Sequence, residues 1–149
     1  MASIDYSKLR VLVVEDDAFT RDLIRKVLKD IGVRSLSESA NGKDGLMEVV
    51  RTRPDIVFCD IHMAPMNGRQ FLQAVRGIKV KDVNRTPVVF LTADADISHV
   101  RFAKEHQVNG YLVKPISLTK LRDAIDLAIG NANANAQREQ EGVAENGLS

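Results

Sequence analysis

Three carboxylates, a hydroxyl and a lysine sit where short apolar runs of this chain come to an end. Glu15 and Asp16 follow Val11-Leu12-Val13-Val14, Asp60 follows Ile56-Val57-Phe58-Cys59, Thr92 follows Pro87-Val88-Val89-Phe90-Leu91, and Lys114 follows Tyr111-Leu112-Val113. A carboxylate at the end of a buried run is costly unless something positive meets it. Three in one pocket repel, and raised pKa values or a bound cation relieve the repulsion. Oxygen donors, with no Cys or His side chain required, favour a hard ion, Mg²⁺ before Zn²⁺. Lys114 supplies a fixed compensating charge. Each residue alone has a plainer reading. Glu15 and Asp16 could be solvated acids favoured by a helix dipole, Asp17 reads as a helix N-cap, and Lys114-Pro115 is a common loop dipeptide. Their joint placement at successive run ends is what singles them out.

That placement depends on the runs being strands of one sheet. Short apolar runs bounded by turn residues read as strands buried on both faces, and open α/β sheets bind ligands at the C-terminal strand edge. Helical periodicity fills the gaps between them. Phe19, Leu23, Val27, Leu28 and Ile31 recur at three- and four-residue steps from Ala18 until Gly32 stops the helix. Arg34 to Ala40 alternates weakly, as an edge strand would. Lys43 to Thr52 reads as a helix with Leu46, Val49 and Val50 inward, stopped near Pro54. Arg69 to Arg76 is another, carrying Phe71, Leu72 and Val75, and Gly77 to Thr86 is a polar, basic connection. Ile97 to His106 is helical and weakly amphipathic. Ser117 N-caps the final helix, with Ile116 and Leu121 as a hydrophobic staple and Leu118, Leu121, Ile125 and Ile129 as its inner stripe. Five strands alternating with five helices imply a parallel sheet covered on both faces.

At 149 residues the chain is about one domain, and 44% apolar with 28% charged residues is ordinary globular composition. A net charge of +1 exerts no strong pull on nucleic acid or an anionic membrane. Tyr6, Tyr111 and five Phe are too few and scattered for a base-stacking platform. The lone cysteine, Cys59, reads as a buried thiol in a reducing compartment. The first residues lack the apolar segment of a signal peptide, and no run of about 18 apolar residues occurs, so a cytoplasmic location is expected. Residues 1–8 are expected to be flexible, 9–130 to form the domain, and the Asn- and Ala-rich 131–149 to be a disordered tail or an extension of the last helix. Met47 and Met63 read as core filler, His99 and His106 as solvated helix residues.

Four fragments, Val13-Val14-Glu15-Asp16-Asp17, Asp60-Ile61-His62-Met63 with Met66 and Gly68, Leu91-Thr92-Ala93, and Lys114-Pro115, together resemble the receiver domain of two-component response regulators, the CheY-like family. The resemblance covers about residues 8–130 and implies the flavodoxin-like (βα)5 fold with strand order 2-1-3-4-5. It also implies that Asp60 takes a phosphoryl group from the phosphohistidine of a histidine kinase or histidine phosphotransfer protein. By the same resemblance Asp16 and Asp60 ligate Mg²⁺ directly, Glu15 through water, and His62 through its backbone carbonyl. Lys114 pairs with Asp60 at rest and with the acyl phosphate afterwards. Thr92 bonds a phosphoryl oxygen, Ala93 leaves room for the group, and Tyr111 rotates into space vacated by Thr92. The surface of the fourth helix, fifth strand and fifth helix then presents the phosphorylated state to an effector protein as a population shift. His62 and Asp94 tune the lifetime of the acyl phosphate. Two departures are visible: the family has proline directly after the methionine, whereas Ala64 separates Met63 from Pro65, and the Gly77 to Thr86 connection is longer than the family's commonest pattern.

Other functions weigh less. A Mg²⁺-dependent aspartyl-phosphate phosphohydrolase of the haloacid dehalogenase type needs a second acid two residues after its nucleophile, where this chain has His62, and a cap-domain insertion is missing. A phosphorylation-independent scaffold has no use for Glu15, Asp16, Asp60, Thr92 and Lys114 together. No helix-turn-helix or basic face follows residue 130 to bind DNA. The sequence therefore points to a signalling protein that catalyses its own modification, and leaves effector switching, phosphate sink and relay intermediate side by side.

Overall fold

A computed structural model describes residues 4–93, 101–102 and 104–148, with 134–148 as backbone. Five strands form one parallel sheet: β1 (Arg10–Val14), β2 (Ser35–Ser39), β3 (Ile56–Asp60), β4 (Val88–Thr92) and β5 (Gly110–Val113), in the order β2-β1-β3-β4-β5. The expected order and flavodoxin-like architecture are those observed. Four helices are described: α1 (Ala18–Ile31), α2 (Gly42–Thr52), α3 (Gly68–Arg76) and α4 (Leu118–Leu148). Arg101, Phe102, Lys104 and Glu105 also have helical backbone. The rest of the helix expected over Ile97 to His106, with Asp94 and His99, falls largely outside the described residues.

The sheet sorts its side chains by strict alternation, which is why continuous apolar runs make its central strands. Val11, Val13, Ile56, Phe58, Val89 and Leu91 point to one face, where Ile24 and Leu28 of α1 and Leu121 and Ile125 of α4 cover them. Leu12, Val14, Val57, Cys59, Val88 and Phe90 point to the other, under Val49 of α2 and Phe71, Leu72 and Val75 of α3. β3 and β4 are buried along their whole length, whereas β2 and β5 at the sheet edges are partly exposed.

Helix ends follow their local chemistry. Asp17 caps α1 by accepting the Thr20 N–H at 3.0 Å, and Gly32, at φ 119°, ends that helix in the left-handed region that glycine alone enters freely. Asn67 and Gln70 close a capping box on α3. Ser117 Oγ accepts the Lys120 N–H at 3.2 Å at the start of α4.

Three expected apolar stripes need correction. Phe19 is 79% exposed and Leu23 also faces solvent, because Ile24 and Leu28 occupy the core-facing stripe of α1. On α2, Val50 and Met47 (63% exposed) turn outward while Val49 and Gly45 take the buried positions; Met63, by contrast, is buried as expected. Leu118 is exposed at the start of α4, and Leu121, Ile125 and Ile129 carry its buried face. At the N-terminus, Tyr6–Lys8 form a single 3-10 turn, and the Tyr6 hydroxyl donates to Asp126 Oδ1 at 2.6 Å. At the other end α4 continues without a break through residues 131–148, whose Ala, Gln and Glu are good helix formers. None of the helices described is long and apolar enough to cross a membrane.

Candidate functional site: an acid cluster at the C-terminal sheet edge

All parallel strands of the sheet end on the same side, so their final residues share one edge. Glu15 follows β1, its N–H donating to the Ser39 carbonyl at 3.0 Å, which fixes it to the end of β2. Asp60 is the last residue of β3 and Thr92 the last of β4. Lys114 follows β5, its N–H donating to the Thr92 carbonyl at 2.7 Å. Side-chain oxygens of Glu15, Asp16 and Asp60 lie within 4.8 Å of one another.

The three acids sit in different surroundings. Glu15 is fully buried, Asp60 is 5% exposed, and Asp16 faces solvent. Burial chiefly, then the neighbouring Asp60, pushes the Glu15 carboxyl above the usual range, while Lys114 pulls it back. Burial and Glu15 raise Asp16 as well. The Lys114 ammonium donates to Glu15 Oε1 at 2.9 Å and stands 3.9 Å from Asp60 Oδ2. The resting pairing of Lys114 with Asp60, implied by the resemblance, is therefore the looser of two contacts. The physical reason is burial: the fully enclosed carboxylate gains most from a direct donor. Asp60 Oδ1 is held from the other side by the His62 N–H at 3.2 Å.

A hard divalent cation fits this donor set. The ligand atoms are carboxylate oxygens, and one lysine leaves a buried acid and its two neighbours short of positive charge.

The loop after β3 explains how the site closes despite the displaced proline. The Ile61 carbonyl accepts both the Met63 N–H at 3.2 Å and the Gly68 N–H at 2.9 Å. Gly68 then lies directly against the strand end: a Cβ there would stand 2.6 Å from the Asp60 carbonyl oxygen. The start of α3 is thus seated on the backbone of Asp60. A cavity of about 440 Å³ opens beside it, lined by Asp16, His62, Ala64, Asn67 and Arg69 among others. A larger cavity, about 650 Å³, lies around Arg10, Arg53, Pro87 and Ile129 and shares none of the acid cluster.

Thr92 is fully buried, and Tyr111 is partly buried against the α2–α3 face of the core. Asp94 lies outside the described residues. Two supporting residues had no sequence signal. Arg21 donates from α1 to the Glu15 carbonyl at 2.7 Å. Arg76, at the end of α3, donates to the carbonyls of Asn84, Thr86 and Gln107 and to Asn109 Oδ1 at 2.8–3.2 Å.

Comparison with known proteins agrees with this geometry. A family model described as the response regulator receiver domain matches residues 11–126. A probable chemotaxis protein CheY of Rhizobium etli is 29% identical over 83% of this chain and 94% of that one. The chemotaxis protein CheY of Pseudomonas aeruginosa is 29% identical over 84% of this chain and 99% of that one. Among solved structures, CheY4 of Vibrio cholerae superposes with a TM-score of 0.72 at 27% identity, covering 79% of this chain and 96% of that one. With its acids, threonine and lysine on the strand ends of that fold, the chain belongs to the response regulator receiver domain family of two-component signalling.

Proposed function

We propose that the chain is a CheY-like response regulator that accepts a phosphoryl group on Asp60 from a phosphohistidine donor, either a histidine kinase or a histidine phosphotransfer protein. One observation carries the reading: Asp60 is almost enclosed at the end of β3, with two acids within 4.8 Å and Lys114 reaching over it. In the transfer, an Asp60 carboxylate oxygen forms the new P–O bond as the P–N bond of the donor breaks. The bonding pair remains on the imidazole, which takes a proton from solvent.

Asp16 and Asp60, Glu15 through water and the His62 carbonyl would hold Mg²⁺. Bound there, Mg²⁺ supplies neutralising charge for the phosphoryl oxygens. Lys114 exchanges part of its contact with Glu15 for the acyl phosphate, a charge-assisted bond. The Thr92 hydroxyl turns toward a phosphoryl oxygen beside Ala93, and Tyr111 moves inward behind it. Partners reading the face around β5 and α4 then meet a changed surface. His62 and Asp94 set how readily water reaches the acyl phosphate.

Incubation with Mg²⁺ and acetyl phosphate, followed by intact mass, tests the reading. One added phosphoryl group is expected, absent without Mg²⁺ and in Asp60→Asn. No modification under any donor would leave the scaffold reading in its place. Tyr111→Ala is expected to keep phosphorylation while weakening phosphorylation-dependent partner binding; unchanged binding would remove Tyr111 from the switch. A relay intermediate would pass the group to a further histidine and a phosphate sink would lose it to water as inorganic phosphate, neither switching an effector.

A further inference from the structure

The cavity beside the acid cluster has a cation in its wall. Arg69 follows Gly68, whose backbone rests on the Asp60 carbonyl, so its side chain starts from the floor of the site. The guanidinium carbon stands 4.1 Å above the centre of the Phe102 ring. The Phe102 ring is stacked in turn on His106, with ring centres 3.9 Å apart. His106 Nδ1 lies 3.1 Å from the Phe102 carbonyl. Phe102 packs on the same core face as Tyr111 and Val108. Arg69 therefore touches both the cavity shared with Asp16 and His62 and, through Phe102, the helical segment that precedes β5.

Resting on the receiver reading of Asp60, we propose that Arg69 is a second ligand for the phosphoryl group, held on Phe102 until Asp60 is modified. Modification adds negative charge and three strong acceptor oxygens beside this cavity. Guanidinium–phosphate bonds are charge-assisted and can be bidentate, whereas a partly exposed cation–π contact is weak. The guanidinium accordingly leaves the ring for the phosphoryl oxygens. Phe102, stacked on His106, loses the cation above it, and the segment before β5 senses the modification by a route that bypasses Thr92.

The competition between ring and phosphate gives a test with opposite signs for two variants. Beryllofluoride with Mg²⁺, a mimic of the acyl phosphate, is titrated into the full chain while the Phe102 ring and Arg69 Nε–H resonances are followed by NMR. Binding is expected to shift both sets in the wild type. Arg69→Ala should weaken beryllofluoride binding about tenfold, the loss of one hydrogen bond to a charged group, and Arg69→Lys should restore part of it. Phe102→Leu, which removes the competing ring and keeps apolar packing, should tighten binding about two- to fivefold. A purely structural Arg69–Phe102 contact predicts weaker binding in both variants. Wild-type affinity in Arg69→Ala, or weaker binding in Phe102→Leu, would overturn the proposal. Beryllofluoride that fails to bind the wild type in the presence of Mg²⁺ would overturn the receiver reading, and this inference with it.

Discussion

Glu15 keeps a fully buried carboxylate in a site that already holds two other acids, and its charge is met by Lys114 at 2.9 Å and, more loosely, by the Asp17 N–H at 3.5 Å. Burial and Asp60 raise its pKa in the folded chain above the ordinary value of 4.5. A carboxyl raised in this way binds more protons folded than unfolded. Its contribution to stability therefore falls as pH rises from about the ordinary value through the raised one. Two outcomes follow at neutral pH. Without metal, Glu15→Gln should be about 1 kcal/mol more stable than wild type, a melting temperature about 3 °C higher, because the amide still accepts from Lys114 and carries no charge. Mg²⁺ at about 100 times its Kd should stabilise the wild type by about 2.7 kcal/mol, and Glu15→Gln by clearly less. Scanning calorimetry at pH 4 and pH 7 checks both; a variant less stable than wild type at pH 7 would count against the electrostatic account. Asp17, one residue beyond the cluster, behaves in the opposite way: its bonds from Thr20 lower its pKa, as expected for a helix cap.

Among the elements, the start of α3 does most to shape the site. Gly68→Ala would drive a Cβ to 2.6 Å from the Asp60 carbonyl and 2.7 Å from the Ile61 Cα, both backbone atoms that cannot swing away. It should cost about 1–3 kcal/mol of stability and slow acetyl phosphate labelling of Asp60 beyond what the lost stability explains. Stability and labelling rate left at wild-type values would show that the loop can shift freely. The other end of α3 is held by Arg76, half-buried, with burial pulling its guanidinium pKa down to about 10. Its four acceptors come from the 84–86 turn and the approach to β5. Arg76→Met keeps the volume and takes the donor from the part-buried Asn84 and Thr86 carbonyls, while Asn109 Oδ1 keeps the Val88 N–H, so a loss of about 3 kcal/mol is expected by denaturant titration. A loss below about 1 kcal/mol would mean that water replaces the guanidinium.

What the sequence reveals of these elements depends on how completely burial dictates residue type. β1, β3 and β4 are legible because both faces are covered and nearly every position must be apolar. α1 and α2 are legible in extent and misleading in phase: Phe19, Leu23 and Val50 satisfy the periodicity and nevertheless face solvent. Arg21 is illegible and Arg76 nearly so, because all partners of the first and three of the four of the second are backbone carbonyls, which leave no trace in residue type.

At the scale of the molecule, the convergence of Glu15, Asp16, Asp60, Thr92 and Lys114 is readable, since a parallel sheet delivers every strand end to one edge. The division of labour among them is not. That Lys114 leans to Glu15 rather than Asp60 follows from the depth of each carboxylate, a property of the assembled fold. Regions beyond the family match still bear on that fold. Ile4 and Tyr6 pack on the core under α1 and α4, and Tyr6 bonds Asp126, so the N-terminal turn braces the last helix.

Cys59 gives the assembled sheet a built-in clock. It precedes Asp60 in β3, is fully buried, and its thiol donates to the Asp60 carbonyl at 3.3 Å; burial pushes its pKa well up. Since Cys59 is the chain's single cysteine, a thiol reagent can react only when the sheet parts from α2 and α3, and the labelling rate counts those openings. Metal held by the neighbouring acids must be released before the same opening. Mg²⁺ at about 100 times its Kd should therefore slow labelling about 100-fold, and Asp60→Asn should abolish most of that slowing. A rate indifferent to Mg²⁺ would mean that β3 opens without disturbing the acids at its tip.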